Sequence, residues 1–328
     1  MKKQLLALAV SSMVVIPSVA LADTGPTVYG KVNVSLENQD DGDNDTWKLQ
    51  SNSSRLGVKG DLDLDFENVK AIYKAEFEMS VDDGDKDGQT FTQRNIYGGF
   101  SHAKAGTLIA GKFDTPMKTS QGKVDQFNDL QGDIKNIMAG DNRPSNIIQY
   151  STPTIADVIK VNLALIPGEE TGDDADDGVA DAISSSVVFD NGSFYAALAY
   201  DSEMSDKLEA DPTGDDKVNV FRATGMARIS NFELGALIQM AEEDEGDGED
   251  TSYLVSAAVK LDRVKLKAQY GMTEADTTDE ELTLMALGAD YKLAKSSKAF
   301  AYVSKVEADV ADTEDTTFGI GFEHKFSL

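Results

Sequence analysis

Three aspartates recur at four-residue steps within the stretch from Gly111 to Tyr150, which otherwise joins two strand-like runs. Asp125, Asp129 and Asp133 would form one acidic stripe on a short helix. The same stretch carries apolar residues at three- and four-residue steps, which is helical spacing: Val124, Phe127, Leu130, Ile134, Ile137 and Met138. We therefore predict a structured, partly helical insertion whose aspartates either act on passing charges or simply form a solvated helix face.

Few other residues have types and spacing that could support catalysis. The chain has two histidines and no cysteine. His102 falls in a predicted short turn, and His324 occupies an apolar-phase position of the last predicted strand. No Gly-x-Ser-x-Gly motif is present, so the sequence predicts no enzyme. A barrel protease or phospholipase is the enzymatic alternative, because catalytic partners need only meet in space.

One acidic loop resembles the start of a calcium-binding loop. Its residues are Asp83-x-Asp85-x-Asp87-Gly88, but the twelfth position holds Arg94 instead of glutamate. We predict no cofactor and no dedicated metal site. Weak binding of Ca²⁺ or Mg²⁺ at the acidic outer loops, where these ions could bridge to lipopolysaccharide, is the alternative.

The ends and the composition of the chain limit its class. Residues 1–22 combine a basic start, an apolar run and a small-residue cleavage site, which predicts a cleaved secretory signal. Residues 23–328 are then a single domain. They contain no apolar run of about 18 residues, so no membrane-spanning helix is predicted. A net charge of −28 argues against nucleic acid as a partner. A soluble exported β protein and an outer-membrane barrel remain.

Alternation of apolar and polar residues continues from Thr27 to the end of the chain, in units of about ten residues. The predicted connections are alternately short and long, and eight long connections imply sixteen strands. Loops sorted by length in this way are typical of barrels that cross an outer membrane, whereas Greek-key sandwiches do not sort them. We predict an all-β fold: a 16-stranded antiparallel transmembrane β-barrel with an inward-folded constriction loop at about 114–142.

Five motifs occur in order at fitting spacing, and with them the mature chain resembles the general porins of Gram-negative outer membranes along nearly its whole length. The motifs are Val28-Tyr29-Gly30-Lys31, Ser54-Arg55-Leu56-Gly57-Val58-Lys59-Gly60, Arg94-Asn95-Ile96-Tyr97-Gly98-Gly99-Phe100, Gly111-Lys112-Phe113-Asp114-Thr115-Pro116 and Asn142-Arg143-Pro144-Ser145-Asn146-Ile147-Ile148-Gln149-Tyr150. The resemblance implies a homotrimer whose third long loop narrows each pore.

The resemblance also implies a basic cluster on the barrel wall that faces acids on the inward loop. By motif position these bases are Lys31, Arg55, Arg94 and Arg143. Alternation independently places Lys31 and Arg55 on the polar faces of their strands, whereas the phase of Arg94 is blurred and Arg143 only begins a strand. The chain lacks the family's Pro-Glu-Phe-Gly-Gly-like run, so Asp125, Asp129 and Asp133 are assigned as the acids from spacing alone.

These observations predict a porin of the bacterial outer membrane that lets ions and small hydrophilic solutes diffuse passively. Its acidic residues concentrate in the long loops and predict a preference for cations: Asp40, Asp41, Asp43, Asp45, Asp82, Asp83, Asp85, Asp87, Asp173, Asp174, Asp176, Asp177, Glu242, Glu243, Asp244 and Glu245. Expected partners are two further copies of the chain, outer-membrane lipid and lipopolysaccharide. A substrate-selective channel and a soluble exported adhesin or binding protein are the alternatives.

Overall fold

The backbone is almost entirely β-strand in the computed structural model, which describes residues 25–83, 90–169, 178–210 and 217–328. The predicted signal peptide lies outside these residues. Within them the strands are β1 Thr27–Asp40, β2 Asp45–Ser51, β3 Arg55–Asp63, β4 Val69–Met79, β5 Phe91–His102, β6 Gly106–Lys112, β7 Ile147–Ser151, β8 Ile159–Ile166, β9 Ala182–Asp190, β10 Phe194–Ser205, β11 Lys217–Ile229, β12 Phe232–Glu243, β13 Glu249–Leu261, β14 Val264–Ala275, β15 Glu280–Ala294, β16 Ser297–Ala308 and β17 Thr313–Ser327.

The strands form one closed antiparallel sheet. β1 pairs with β17 along the register from Tyr29↔Ser327 to Asp40↔Thr316, and on its other side it pairs with both β2 and β3. Residues 32–33 of β1 face the three residues 52–54, which is a one-residue bulge. β2 and β3 are therefore two halves of one strand, and the barrel has sixteen strands as predicted. Closure pairs both edges of each described strand, so none of these edges faces lipid.

The predicted alternation has its apolar face on the outside of the barrel. In β10, for example, Leu198 is 55% exposed, while its two neighbours in the chain, Ala197 and Ala199, are each 3% exposed. Large apolar side chains are exposed in the same phase on neighbouring strands, among them Phe221, Ile238 and Val255. Such a surface is stable against hydrocarbon and not against water. Among the described residues, no helix has the length and apolar character needed to cross a membrane.

The two ends of the barrel differ in the length of their connections. β11 joins β12, β13 joins β14 and β15 joins β16 through two residues each, all at one end, which we call the short-turn end. The opposite, long-loop end carries most of the acidic connections, including residues 244–248 and 309–312. The longest described connection, residues 113–146 between β6 and β7, also starts from the long-loop end. We call this segment the inward loop.

The apolar side chains of the inward loop pack against the inner wall of the barrel. Val124, Ile134 and Ile137 are at most 1% exposed and form a core with residues of β10 to β15, such as Leu254 and Leu284. Phe127 and Leu130 pack on Ala286, Phe300 and Tyr302. The wall makes room with glycine: a Cβ on Gly271 would lie 2.7 Å from Ile137 Cδ1, and one on Gly288 would lie 2.9 Å from Phe127 Cε1. The strands thus enclose the loop, as the sequence predicts.

The predicted helix across the three aspartates is wrong. The inward loop contains only a short helix, α1 Pro116–Ser120, and a single 3-10 turn, Ile134–Asn136. Between them the backbone forms successive tight turns, in which Leu130 N donates to Phe127 O and Asp133 N donates to Leu130 O. Turns of this kind bury every third residue much as a helix does. Asp125, Asp129 and Asp133 therefore do not form one stripe.

Candidate functional site

Two polar cavities lie inside the barrel and share lining residues beside the inward loop. The cavity toward the long-loop end has a volume of about 550 Å³ and is bordered by Arg94, Arg143 and Glu78. The cavity toward the short-turn end has a volume of about 630 Å³ and is bordered by Lys31 and Glu76. Arg55 and Asp129 border both cavities. These two side chains, together with Lys123 and Asn128, therefore lie at the boundary between the two cavities.

Asp129 is the acid of the inward loop that faces the basic wall. Lys31 Nζ donates to Asp129 Oδ2 at 2.6 Å, and Arg55 Nη2 donates to the same oxygen at 2.9 Å. Burial alone would raise the pKa of this carboxyl, but the charges of Lys31 and Arg55 lower it to about 2. Asp129 also has φ +72°, in the left-handed region that aspartate tolerates better than most residues. The tight turn thus directs an ionised carboxylate at two bases.

The other two predicted bases pair with different acids. A β-bulge places both Arg94 and Asn95 opposite Glu76, because Gln93 pairs with Phe77 and Ile96 pairs with Ala75. Arg94 Nε lies 3.5 Å from Glu76 Oε1, and its Nη1 donates to Glu78. The bulge is the physical reason that alternation could not assign a face to Arg94.

Arg143 lies at the far end of the inward loop and pairs with its beginning. Arg143 Nη2 is 2.7 Å from Asp114 Oδ1, and Lys118 Nζ is 3.6 Å from the same atom while also pairing with Asp141. Burial raises the pKa of Asp114, but Arg143 and Lys118 together lower it below its usual range. These ion pairs fasten the two ends of the inward loop to each other.

Asp125 and Asp133 bind backbone groups of the loop instead of bases on the wall. Asp125 is 7% exposed and accepts hydrogen bonds from Phe127 N at 2.8 Å and Ile134 N at 3.4 Å. Asp133 is 1% exposed and accepts from Asp129 N at 2.9 Å and Lys135 N at 3.1 Å. Burial raises the pKa of both carboxyls. Their carboxyl groups hold the turns that direct Asp129 toward the basic wall, so the three predicted acids have two different roles.

Alternation along β4 could have identified acids that the sequence analysis left out. Glu76 and Glu78 are in the polar phase of β4, next to Lys74, whose Nζ lies 3.4 Å from Glu76 Oε2. Tyr29 OH donates to Glu76 at 2.8 Å. The basic wall therefore carries two acids of its own, which offset part of its positive charge.

Polar side chains of the barrel wall bind the backbone of the inward loop. Arg222 on β11 is 1% exposed, and its Nη2 donates to Ala139 O at 2.8 Å. Gln239 Nε2 donates to the same carbonyl at 3.1 Å, and Ser256 Oγ donates to Val124 O at 2.6 Å. These bonds satisfy loop carbonyls that would otherwise be buried without partners. They depend on contacts between distant strands, which sequence spacing does not reveal.

A second segment, residues 206–210 after β10, also enters the barrel from the long-loop end. Asp206 accepts hydrogen bonds at 2.7 Å from both Gly140 N and Asn142 Nδ2 of the inward loop. Leu208 is 2% exposed and packs in the core that contains Met117 and Ala139. No sequence pattern predicted this second inward segment.

Ionised side chains that line a passage can sort solutes by size and polarity. They orient water and dipoles, so apolar solutes pay a desolvation cost that small polar solutes avoid. Among the described residues, no group of three or more His, Asp or Glu is arranged to hold a metal ion. The calcium-like loop lies mostly in 84–89, outside those residues, and weak divalent binding at the acidic loops stays a prediction.

Comparison with known proteins identifies the class. The model of the family described as Gram-negative porin matches residues 7–311. A curated outer membrane porin protein of Bordetella pertussis is 23% identical over 99% of this chain and 100% of its own length. An anion-selective porin from Comamonas acidovorans superposes with a TM-score of 0.74 at 22% identity, covering 93% of this chain and all of that one.

Two further solved structures share the fold. OmpT of Vibrio cholerae in a trimer form has a TM-score of 0.65 at 20% identity, over 92% of this chain and 99% of that one. Salmonella typhi OmpF, in complex with daunomycin, has a TM-score of 0.71 at 12% identity, over 92% of this chain and 98% of that one. At these identities the structural likeness shows the barrel fold alone.

Proposed function

This chain belongs to the Gram-negative porin family, and from that premise we propose passive diffusion of ions and small hydrophilic solutes as its activity. As a porin it is an outer-membrane channel protein. The observation that carries the proposal is the meeting of two polar cavities at Arg55 and Asp129, inside a barrel whose outer surface is apolar. Sixteen strands enclose more space than side chains can fill, and the inward loop narrows what remains.

Three copies of the chain assemble, in this proposal, into a trimer with one pore each. Support comes from the trimer form of the Vibrio cholerae protein that shares the fold. Lipid and lipopolysaccharide would surround the assembly at its apolar outer surface. Purified protein is expected to migrate as a trimer on unheated gels and as a monomer after boiling.

Ion preference belongs to the same proposal. Acidic residues at the long-loop end raise the local concentration of cations, and we expect a modest cation preference. Described examples are Asp40, Asp41, Asp43, Asp45, Glu242, Glu243, Asp244 and Glu245, whereas the loop acids at 85, 87 and 173–177 lie outside the described residues. The porin from Comamonas acidovorans, which shares the fold, is named as anion-selective. That selectivity is a property of that protein, so the sign of the ion preference of this chain has to be measured directly.

Planar-bilayer recording tests the channel and its ion preference together. We expect the purified protein to insert as open channels in groups of three conductance steps. In a salt gradient, the reversal potential is expected to have the sign of cation preference. Absence of conductance steps would contradict the channel proposal, whereas open channels with an anion-sign potential would contradict only the ion preference.

A further inference from the structure

Lysines concentrate on the inner wall at the short-turn end, in a chain whose net charge is −28. Six lysines of β13 to β17 point into the barrel there, and we call them the lysine wall: Lys260, Lys265, Lys267, Lys292, Lys298 and Lys325. Their strand pairings place them side by side, with Lys260 opposite Lys265 and Lys292 opposite Lys298. The arrangement is therefore continuous across neighbouring strands.

Among the described residues, three acids form ion pairs with these lysines. Glu233 lies 2.5 Å from Lys260 Nζ and 2.8 Å from Lys265 Nζ, so one carboxylate serves two ammonium groups. Asp290 is shared in the same way, at 3.4 Å from Lys267 Nζ and 2.9 Å from Lys298 Nζ.

The third acid, Glu323, lies 3.0 Å from Lys325 Nζ. No side-chain hydrogen bond or ion pair of Lys292 occurs within the described part of the chain. Six positive charges facing three negative charges leave the lysine wall with a surplus of three. The turn residues that border the rim cavity, Asp262, Arg263 and Lys295, add one further positive charge.

The surplus faces space that a solute can occupy. Lys265, Lys298 and Lys325 border both the 630 Å³ cavity below the inward loop and a second cavity of about 350 Å³ at the rim. Lys265 and Lys298 keep 28% and 31% of their side-chain surface exposed, so the ammonium groups remain accessible. Several compact ammonium charges around one cavity favour a ligand that carries more than one oxyanion group.

We propose that the lysine wall is a binding site for multivalent oxyanions, meaning small solutes with two or more carboxylate or phosphate charges. The site rests on the proposed channel function, since the solute reaches it through the pore. Short turns mark the periplasmic end of outer-membrane barrels, so the site would hold such anions on the periplasmic side of the constriction. Acidic loops and the lysine wall then give the two ends of one channel opposite charge.

Block of single-channel current by citrate tests this site. Recordings in about 0.1 M monovalent salt keep screening moderate, because the Debye length is then about 10 Å. Citrate added at the short-turn side is expected to interrupt the current at lower concentration than citrate added at the long-loop side. Inorganic phosphate should act similarly but more weakly, and monovalent acetate should not block.

The double variant Lys265→Gln, Lys298→Gln is expected to raise the half-blocking citrate concentration by about tenfold, because two nearby unit charges each change anion binding severalfold. Lys305→Gln is the matched control. Lys305 is on the same strand as Lys298, near the long-loop end, and pairs with Glu307 at 3.1 Å and Glu314 at 3.0 Å.

The possible outcomes test the anion-binding site and the channel function separately. One-sided block that weakens in the double variant and not in Lys305→Gln supports the site. Equal block from both sides, no block, or block that the double variant leaves unchanged overturns it. Failure of the wild-type protein to conduct would instead overturn the proposed function. If the double variant does not conduct, Lys292→Gln alone replaces it, because the Lys292 side chain has no described partner to lose. The half-blocking citrate concentration is then expected to rise by a smaller factor.

Discussion

Replacing Arg222 by methionine is expected to loosen the inward loop while leaving the barrel closed. Arg222 is buried on β11, and its guanidinium donates to Gln239 Oε1 at 2.8 Å as well as to Ala139 O. Hydrogen bonds from a charged donor contribute about 1.5–3 kcal/mol each, so losing the bond to Ala139 O would weaken loop attachment by roughly that amount. Methionine replaces the aliphatic part of the side chain and cannot donate a hydrogen bond. We expect noisy open-channel currents and easier thermal dissociation in detergent.

Arg228→Met is the matched control for this prediction, on the same strand and with the same substitution. Arg228 lies near the short-turn end, where its Nη1 is 3.2 Å from Asp190 Oδ1 and both side chains are partly exposed. Exposed ion pairs contribute little to stability, so the current noise and thermal dissociation of Arg228→Met should match those of the wild type. Equal behaviour of Arg222→Met and the wild type would show that the loop does not depend on this anchor.

Replacing Asp129 by asparagine should move ion selectivity toward anions. The substitution leaves Lys31 and Arg55 without their shared carboxylate at the point where the two cavities meet. One unit charge about 6–8 Å from a passing ion in water changes its energy by about 0.5–0.7 kcal/mol, so the permeability ratio should change about two- to threefold. The measurement is the reversal potential in a salt gradient.

Asp125→Asn and Asp133→Asn serve as controls for that change, because both carboxyls are buried against the loop backbone and have raised pKa values. Each should shift the reversal potential less than Asp129→Asn does. A shift of the same size in Asp133→Asn, or none in Asp129→Asn, would contradict the assignment of the pore acid.

The pKa of Asp129 gives this prediction a pH dependence. Its pKa in the folded protein, about 2, is below the usual value of 3.8. The carboxylate therefore stabilises the loop above pH 4, and this contribution is lost as the pH falls from about 4 toward 2. The difference in selectivity between wild type and Asp129→Asn should accordingly persist at pH 4 and shrink near pH 2.

The barrel could be predicted from the sequence because lipid outside and water inside impose a two-residue alternation on every strand. The same reasoning placed Lys31 and Arg55 inside, where both now pair with Asp129. It failed at Arg94, since a bulge shifts the phase of β5 by one residue. It also could not show that the interior under the inward loop is apolar, as at Leu254 and Leu284.

The helical prediction failed for a local reason. The loop buries Val124, Phe127 and Leu130 at three-residue steps, which turns and helices share. The carboxylates of Asp125 and Asp133 accept hydrogen bonds from backbone N–H groups that a helix would pair with carbonyls. The anchors Arg222 and Asp206 were beyond reach because their partners lie 60 or more residues away in the chain.

Thiol modification of the inward loop tests most directly whether this loop narrows a conducting pore. The chain contains no cysteine, so Lys135→Cys would be the single reactive thiol. Lys135 is exposed on the loop and borders the 550 Å³ cavity together with Arg55 and Asp129. We predict that a bulky, membrane-impermeant thiol reagent lowers the single-channel conductance of this variant stepwise and leaves the wild type unchanged. Full modification without any fall in conductance would contradict a constriction at the inward loop.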